Sequence, residues 1–89
     1  MEEQKILQTA ISVFGDKAQE DIAIEEMSEL TQAILHNRRG RESNIPEEIA
    51  DVLIAVEQLI MIHNCREEVN GIKYHKLMRL QETIIDNCL

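Results

Sequence analysis

The sequence predicts an all-α protein, a compact bundle of about four helices that is expected to oligomerise. Apolar residues recur at helical spacing along almost the whole chain. Strong helix breakers occur only at Gly15, between Gly40 and Pro46, and at Gly71. With 89 residues the chain has the length of one domain, and it contains no internal repeat, low-complexity tract or linker.

Gly15 separates the first two predicted helices. The first is expected over about residues 3–14 and should end at Gly15, because glycine readily adopts the backbone conformation found at helix C-termini. The second is expected over about residues 17–37, with Asp16 as its N-terminal cap. Each helix has an apolar stripe that should pack against other helices. The two stripes comprise Ile6, Leu7, Ala10, Ile11 and Phe14, and Ala23, Met27, Leu30, Ala33 and Ile34.

A polar loop over residues 37–44 precedes the third predicted helix. Asn44 and Pro46 have the character of a cap and a first helical turn, and the helix should run to about Asn64. Its apolar face is broader than one small protomer needs to cover, which predicts a partner helix. This face comprises Ile49, Val52, Leu53, Val56, Leu59, Ile60 and His63, the last expected in the core or an interface. The fourth helix should begin between Arg66 and Gly71.

The charge of the chain disfavours several classes of partner. Seventeen acidic residues against nine basic ones give a net charge of -8, which repels nucleic acid polymers and anionic membranes. No apolar run approaches the roughly 18 residues that a membrane-spanning helix needs. The first residues are charged and polar, unlike a signal peptide, so a cytoplasmic location is expected.

Two pairs of acidic residues indicate where chemistry could occur. Glu26 and Glu29 on the second helix, and Glu48 and Asp51 on the third, each have the spacing that places both carboxylates on one helix surface. Each pair borders an apolar stripe, so packing of the stripes would bring four carboxylates together. Two such charges about 5 Å apart repel by roughly 3 kcal/mol at an effective dielectric near 20.

A divalent cation would relieve this repulsion. Ligand sets made only of oxygen atoms select hard ions, and Mg²⁺ typically uses a few carboxylates together with water and substrate phosphates. The alternative is that the carboxylates are merely solvated, on a non-catalytic acidic bundle that binds another protein or a second copy of itself. The Glu-x-x-His pattern of di-iron bundles is absent, since Ala33, Ile60 and Ile72 precede the three histidines by three positions. His36 and His75 are expected on the surface.

Three segments resemble the MazG-like branch of the all-α nucleoside triphosphate pyrophosphohydrolases. These are Phe14–Gln19, Ile24–Ile34 and Glu47–Val52, and their most specific part is EExxE followed after one loop by ExxD. The resemblance implies a single MazG-like domain over residues 1–89 and a homodimer or homotetramer. It implies hydrolysis of an NTP or dNTP to the monophosphate and pyrophosphate, as in nucleotide-pool house-cleaning. It also implies Mg²⁺, or Mn²⁺ as a substitute, bound by Glu26, Glu29, Glu48 and Asp51.

The resemblance suggests roles for further residues. Glu25 is a candidate for the base that orients the attacking water or for a further metal contact, with an exposed surface residue as the alternative. Lys76 and Arg79 could bind phosphate oxygens, and Gln19 could contact the nucleotide. Some relatives stack an aromatic residue on the base. This chain has no tryptophan, and because Phe14 is expected in the core, Tyr74 is the aromatic residue available for stacking.

Overall fold

The computed structural model describes residues 1–88 and contains four helices. They are α1 (Glu3–Phe14), α2 (Asp16–Arg38), α3 (Ile45–His63) and α4 (Arg66–Cys88). No strand occurs in these 88 residues. The all-α prediction and the expected number of helices are therefore confirmed, and the fourth helix begins at the earliest of its expected positions.

Gly15 joins α1 to α2 in a single residue. Its φ of 93° lies in a region that side chains other than that of glycine rarely adopt, and its backbone N–H donates to Ile11 O at 2.8 Å. The prediction that Asp16 caps α2 is wrong, because Asp16 already lies inside the helix and Gly15 occupies the capping position. Asp16 lies in the first turn of α2, where its negative charge interacts favourably with the helix dipole.

Helices α2 and α3 pack against each other more extensively than any other pair. They run antiparallel, since contacts join the beginning of α2 to the end of α3. Gln58 Nε2 donates to Gln19 Oε1 at 2.7 Å, and His63 Nε2 lies 2.9 Å from Glu20 Oε2. The side chain of His63 is 58% exposed, so it is not packed in the core of this chain, and its expected place in an interface between chains stays a prediction.

The core is small, because neighbouring helices cover only part of each apolar helix face. Within residues 1–88 the buried apolar side chains are those of Leu7, Ala23, Ala33 and Ala55, and no large side chain there is fully buried. Phe14, expected in the core, is 67% exposed. Several other members of the expected stripes are also exposed: Ile6, Met27, Ile34, Ile49, Leu53 and Val56. Helical spacing identified apolar faces, but only part of each face has a neighbour within the described chain.

Helix α4 extends away from the other three helices. It begins after Asn64, whose left-handed φ of 48° ends α3, and within residues 1–88 it packs only on α3. Arg66 and Glu57 form an ion pair at this junction. None of the residues of α4 is buried, and its large exposed apolar side chains are those of Ile72, Tyr74, Leu77, Met78, Leu80, Ile84 and Ile85. Among the described helices, none combines the length and hydropathy required for a membrane span.

Candidate metal centre

The two acidic pairs face each other across the α2–α3 contact. Glu26 follows Gln19 by seven positions, and Asp51 precedes Gln58 by seven positions. Seven residues are close to two helical turns, so each acidic residue lies on the same face of its helix as the glutamine. The hydrogen bond between the glutamines therefore indicates the register in which the acidic pairs meet. We call Glu26, Glu29, Glu48 and Asp51 the carboxylate cluster.

Three members of the carboxylate cluster are close enough to share one ion. Glu26, Glu29 and Glu48 each offer a carboxylate oxygen, and these three oxygens lie within 4.8 Å of one another. Asp51 is half-buried beside Glu26, with which it lines a small cleft. The sequence predicted that the carboxylates would converge if the two apolar stripes packed together. In the structure the oxygens of three of them converge, and Asp51 lies at the edge of the group.

The electrostatics of the carboxylate cluster oppose full ionisation. Burial raises the pKa of the Glu26 carboxyl above its ordinary value of 4.5. The charges of Glu29, Asp51 and Glu48 raise this pKa further, as does close side-chain contact with Asp51. Burial is also the largest cause of the raised pKa of Glu48, followed by the charges of Glu29, Asp51 and Glu47. Both carboxyls thus lie among negative charges, and no ion pair found in residues 1–88 compensates them.

Two oxygen atoms in the cluster lack any partner. Glu26 Oε2 and Glu48 Oε2 are buried and form no hydrogen bond. None of the ion pairs found in residues 1–88 involves the cluster. A buried carboxylate oxygen without a hydrogen bond is costly, and a cation would satisfy it. The donors are all carboxylate oxygens, so the residues fit a hard divalent cation such as Mg²⁺ or Mn²⁺.

A cleft adjoins the cluster on each side. The first, which we call the loop cleft, has a volume of about 220 Å³ and lies where α2, the α2–α3 loop and the start of α3 meet. The second, which we call the inner cleft, has a volume of about 110 Å³. The loop cleft is lined by Glu29, Gln32, Ala33, His36, Ser43, Asn44 and Glu48. The inner cleft is lined by Ile22, Glu26, Asp51, Ile54, Ala55 and Gln58. A ligand at the cluster could extend into either cleft.

The other expected site residues lie apart from the cluster. Glu25 is exposed on α2 and is not one of the three residues with converging oxygens. Lys76 and Arg79 are on α4, which does not pack against α2 within the described chain. Gln19 is buried, 4% exposed, and its side-chain oxygen accepts the bond from Gln58. Contact between Gln19 and a nucleotide would require this bond to open.

His36 was expected on the surface, but it is half-buried in the wall of the loop cleft. It follows Glu29 by seven positions, so it lies about two turns further along the same face of α2. This spacing is visible in the sequence and could have linked His36 to the carboxylates. Tyr74, the residue expected to be available for stacking, is exposed on α4 and lies edge-on to His75, with ring centroids 5.5 Å apart.

Comparison with known proteins adds one match. The family model described as the MazG nucleotide pyrophosphohydrolase domain matches residues 14–80, which include all four members of the carboxylate cluster. Neither the curated proteins nor the solved structures contain a significant match to this chain.

Proposed function

The chain belongs to the MazG nucleotide pyrophosphohydrolase domain family, and from this membership we propose that it hydrolyses nucleoside or deoxynucleoside triphosphates. The products are the monophosphate and pyrophosphate, and the reaction requires Mg²⁺, for which Mn²⁺ can substitute. The observation that carries the proposal is the carboxylate cluster with its two buried, unpartnered oxygens, lying inside the matched region. The proposed cellular use is removal of unwanted nucleotides in the cytoplasm.

Glu26, Glu29, Glu48 and Asp51 are the proposed metal ligands. Three of them already place oxygens within 4.8 Å of one another, so little rearrangement is needed to bind an ion. When bound, the cation neutralises phosphate charge and lowers the pKa of a bound water. The role of the chain is to hold the triphosphate between two fixed helices, with the phosphate to be attacked next to the cluster.

Glu25 is the proposed general base. Its exposed carboxylate neighbours Glu26 in sequence, and it is not among the three carboxylates whose oxygens converge. In this role a carboxylate oxygen of Glu25 accepts the proton of the attacking water and orients that water towards phosphorus. Gln19 is retained as a candidate nucleotide contact, although its bond to Gln58 makes a role in helix packing the stronger proposal.

An oligomer is proposed because a single chain exposes too much surface. The accessible surface is 7150 Å², whereas a compact monomer of this mass exposes about 5,350 Å². The radius of gyration is 16.5 Å, against about 12 Å for a compact domain of this length. The excess is about 1,800 Å² per chain. Added over two chains, it falls within the range of total surface that obligate homodimer interfaces bury. We propose a homodimer or homotetramer in which α4 contributes the main contact.

Lys76 and Arg79 are proposed to bind the phosphates of substrate held by a second copy of the chain. Within the described chain α4 packs only on α3, so these side chains are not beside the cluster of their own subunit. Within residues 1–88 no ion pair joins the cluster to a basic side chain, and the triphosphate and departing pyrophosphate need positive charge. Arg79 offers two parallel hydrogen bonds to phosphate, and Lys76 a point charge.

The experiment that tests the proposed function measures the release of pyrophosphate, as distinct from orthophosphate, from a panel of NTPs and dNTPs with Mg²⁺. Turnover of at least one nucleotide is expected, together with its loss in Glu48→Gln. Glu42→Gln removes the same charge from the exposed loop and should retain activity. A folded protein that cleaves no member of the panel would refute the proposal.

The apolar surface of α4 favours a second candidate, a non-catalytic bundle that binds another protein or a second copy. Thermal melting with and without Mg²⁺ or Mn²⁺ distinguishes the two functions. An ion that binds only the folded state must raise the melting temperature as its concentration increases. A midpoint that does not respond to either ion, even with nucleotide present, would favour the interaction module.

A further inference from the structure

We infer that the loop after α2 binds a second phosphate group of the substrate, one carried on the sugar and separate from the triphosphate that is cleaved. We call residues Arg38–Arg41 the arginine loop. The inference rests on the proposed function, because the second phosphate belongs to the nucleotide held at the carboxylate cluster. It narrows the substrate class to nucleotides that carry a sugar phosphate in addition to the 5′-triphosphate.

The arginine loop is the most concentrated positive charge in an acidic chain. Its four positions contain three of the nine basic residues, whereas the whole chain has a net charge of -8. Arg38, Arg39 and Arg41 are exposed, and none of the ion pairs found in residues 1–88 involves them. A guanidinium group can donate two parallel hydrogen bonds to one phosphate. The loop therefore has the donors and the charge that a phosphate group requires.

Backbone hydrogen bonds hold the arginine loop in one conformation. The N–H of Arg41 donates to His36 O at 3.0 Å, and that of Gly40 donates to Asn37 O at 3.1 Å. Together these two bonds form the Schellman motif that ends many helices. Gly40 has the left-handed conformation that this motif requires, with a φ of 74°. The arginines thus extend from an ordered turn, and little backbone entropy is lost when a ligand binds.

The loop cleft connects the carboxylate cluster to the arginine loop. It is lined by Glu29 and Glu48 of the cluster and by His36 and Ser43 near the loop. Along α2, His36 lies about 10 Å beyond Glu29 and Arg39 about 15 Å beyond it, because each helical residue rises about 1.5 Å. A ligand that is held at the cluster and extends through this cleft therefore has its far end beside the arginine loop.

The alternative role for these arginines is interaction with the negative end of the α2 dipole. Arg38 lies in the last turn of α2, where this effect is largest. Arg39 and Arg41 lie beyond the last residue of the helix. The dipole therefore explains Arg38 but not the two arginines that follow it.

An exposed site of this kind suits a phosphate that is attached to a ligand already bound elsewhere. Water and salt weaken the attraction between a free anion and exposed arginines. A phosphate on a nucleotide that the metal already holds has a high effective concentration at the loop, so modest contacts still add to affinity. The cluster with its metal, together with Lys76 and Arg79, is proposed to bind the triphosphate. The arginine loop is then available for a different anionic group of the same ligand.

The test compares two non-hydrolysable ligands on the full chain loaded with Mg²⁺. One is the α,β-imido nucleoside triphosphate that binds best, and the other is the same compound with a phosphate on its 3′ oxygen. Calorimetry measures both affinities. In the wild type the 3′-phosphate should raise the affinity about tenfold, as expected for added hydrogen bonds between charged groups. Arg39→Gln/Arg41→Gln should reduce the ratio of the two affinities to about one, because the contacts with the second phosphate are lost.

Lys5→Gln/Lys17→Gln is the matched control, since it removes the same charge from positions outside the loop cleft and should keep the wild-type ratio. The inference is overturned if the 3′-phosphate gives the wild type no gain, or if the arginine variant keeps the gain. It is also overturned if the lysine control loses the gain equally, since net charge alone would then explain it.

Orthophosphate is the third probe and should not bind the metal-free chain. Binding of orthophosphate that the arginine variant abolishes would assign the loop to a free anion and overturn the inference. A wild-type protein that binds Mg²⁺ but neither nucleotide would instead refute the proposed function itself.

Discussion

The side-chain amides of Gln19 and Gln58 form a buried hydrogen bond of 2.7 Å between helices that are joined through a loop. The two residues are 4% and 5% exposed. A buried amide without a partner is costly, so this bond favours one antiparallel register of α2 and α3 over its neighbours. In that register Glu29 approaches Glu48, and Glu26 approaches Asp51. A polar pair in the core thereby positions the candidate metal ligands.

Gln58→Leu is expected to lower the free energy of unfolding by about 1–3 kcal/mol, because it leaves the buried amide of Gln19 without a partner. The double variant Gln19→Leu/Gln58→Leu should recover much of this loss, since neither buried amide remains. Urea unfolding at one fixed protein concentration measures both values. Strictly additive losses in the double variant would contradict the coupling. Activity in the double variant would also show that Gln19 is not needed for nucleotide binding.

Glu48→Gln is expected to raise the melting temperature of the metal-free protein. Burial and the charges of Glu29 and Asp51 raise the pKa of Glu48, so its ionised form destabilises the folded state at neutral pH. The same substitution should reduce the rise in melting temperature that Mg²⁺ causes, because one ligand is lost. Glu42→Gln, at an exposed loop position, serves as the control for the change in net charge. A stabilised control or an unchanged Mg²⁺ effect would contradict the assignment.

The ion pair between Arg66 and Glu57 makes a contribution to stability that depends on pH. The hydrogen bond from Arg66 and the positive charge of Arg66 lower the pKa of the Glu57 carboxyl below its ordinary value of 4.5. The unfolded state therefore binds a proton more readily than the folded state does. The stabilisation is present above pH 4.5 and is lost as the pH falls through the folded pKa. Both side chains are partly exposed, 44% and 41%, so the effect should not exceed about 1 kcal/mol.

Comparison of the wild type with Glu57→Gln isolates this effect. Urea unfolding should show a stability difference above pH 4.5 that shrinks as the pH is lowered. The carboxylate cluster is present in both proteins. Its raised pKa values change stability with pH in the opposite direction, and this contribution cancels in the difference between the two proteins. Glu3 and Lys73 line the same groove and are unchanged in both proteins. A difference that does not vary with pH would show that the pair contributes packing and not charge.

Leu80→Asp is expected to dissociate the proposed oligomer into monomers and to lower the melting temperature. Leu80 is 53% exposed on α4, in an apolar surface that also includes Leu77. Burying a leucine stabilises an interface by roughly 1.5–3 kcal/mol, and a charge there would have to be desolvated. Light scattering coupled to size exclusion measures the mass. Gln81→Asp adds the same charge at the adjacent polar position, and an equal loss of assembly in that control would contradict a specific apolar contact.

A shared active site predicts complementation between two inactive variants. Glu48→Gln lacks a metal ligand, and Lys76→Ala/Arg79→Ala lacks the proposed phosphate contacts. In a symmetric dimer, an equal mixture that exchanges subunits should recover about one quarter of wild-type activity, because half of the dimers contain one intact site. Pyrophosphate release after subunit exchange measures the recovery. Complete exchange, verified by mass spectrometry, without recovery would mean that each site uses cations from its own chain.

Local sequence features determined the helices and the candidate ligands. Helices begin or end at Gly15, Asn44 and Asn64. These boundaries depend on the local backbone preferences of the three residues. The spacing within each acidic pair places its two carboxylates on one surface, whatever the helix later packs against. For this reason the four helices and Glu26, Glu29 and Glu48 could be identified before any contact between helices was known.

Only the tertiary structure decided which faces are covered and what surrounds the carboxylates. Phe14 and His63 belong to apolar faces by periodicity, yet both are exposed, because no other helix of the described chain covers them. His36 is followed by polar residues in the sequence. The loop between α2 and α3 nevertheless brings Ser43 back beside the end of α2, so that His36 lies in the wall of a cleft. Burial depends on contacts between residues far apart in sequence, and the pairing of Gln19 with Gln58 across two helices is such a contact. Helical periodicity specifies a face, and packing alone specifies its partner.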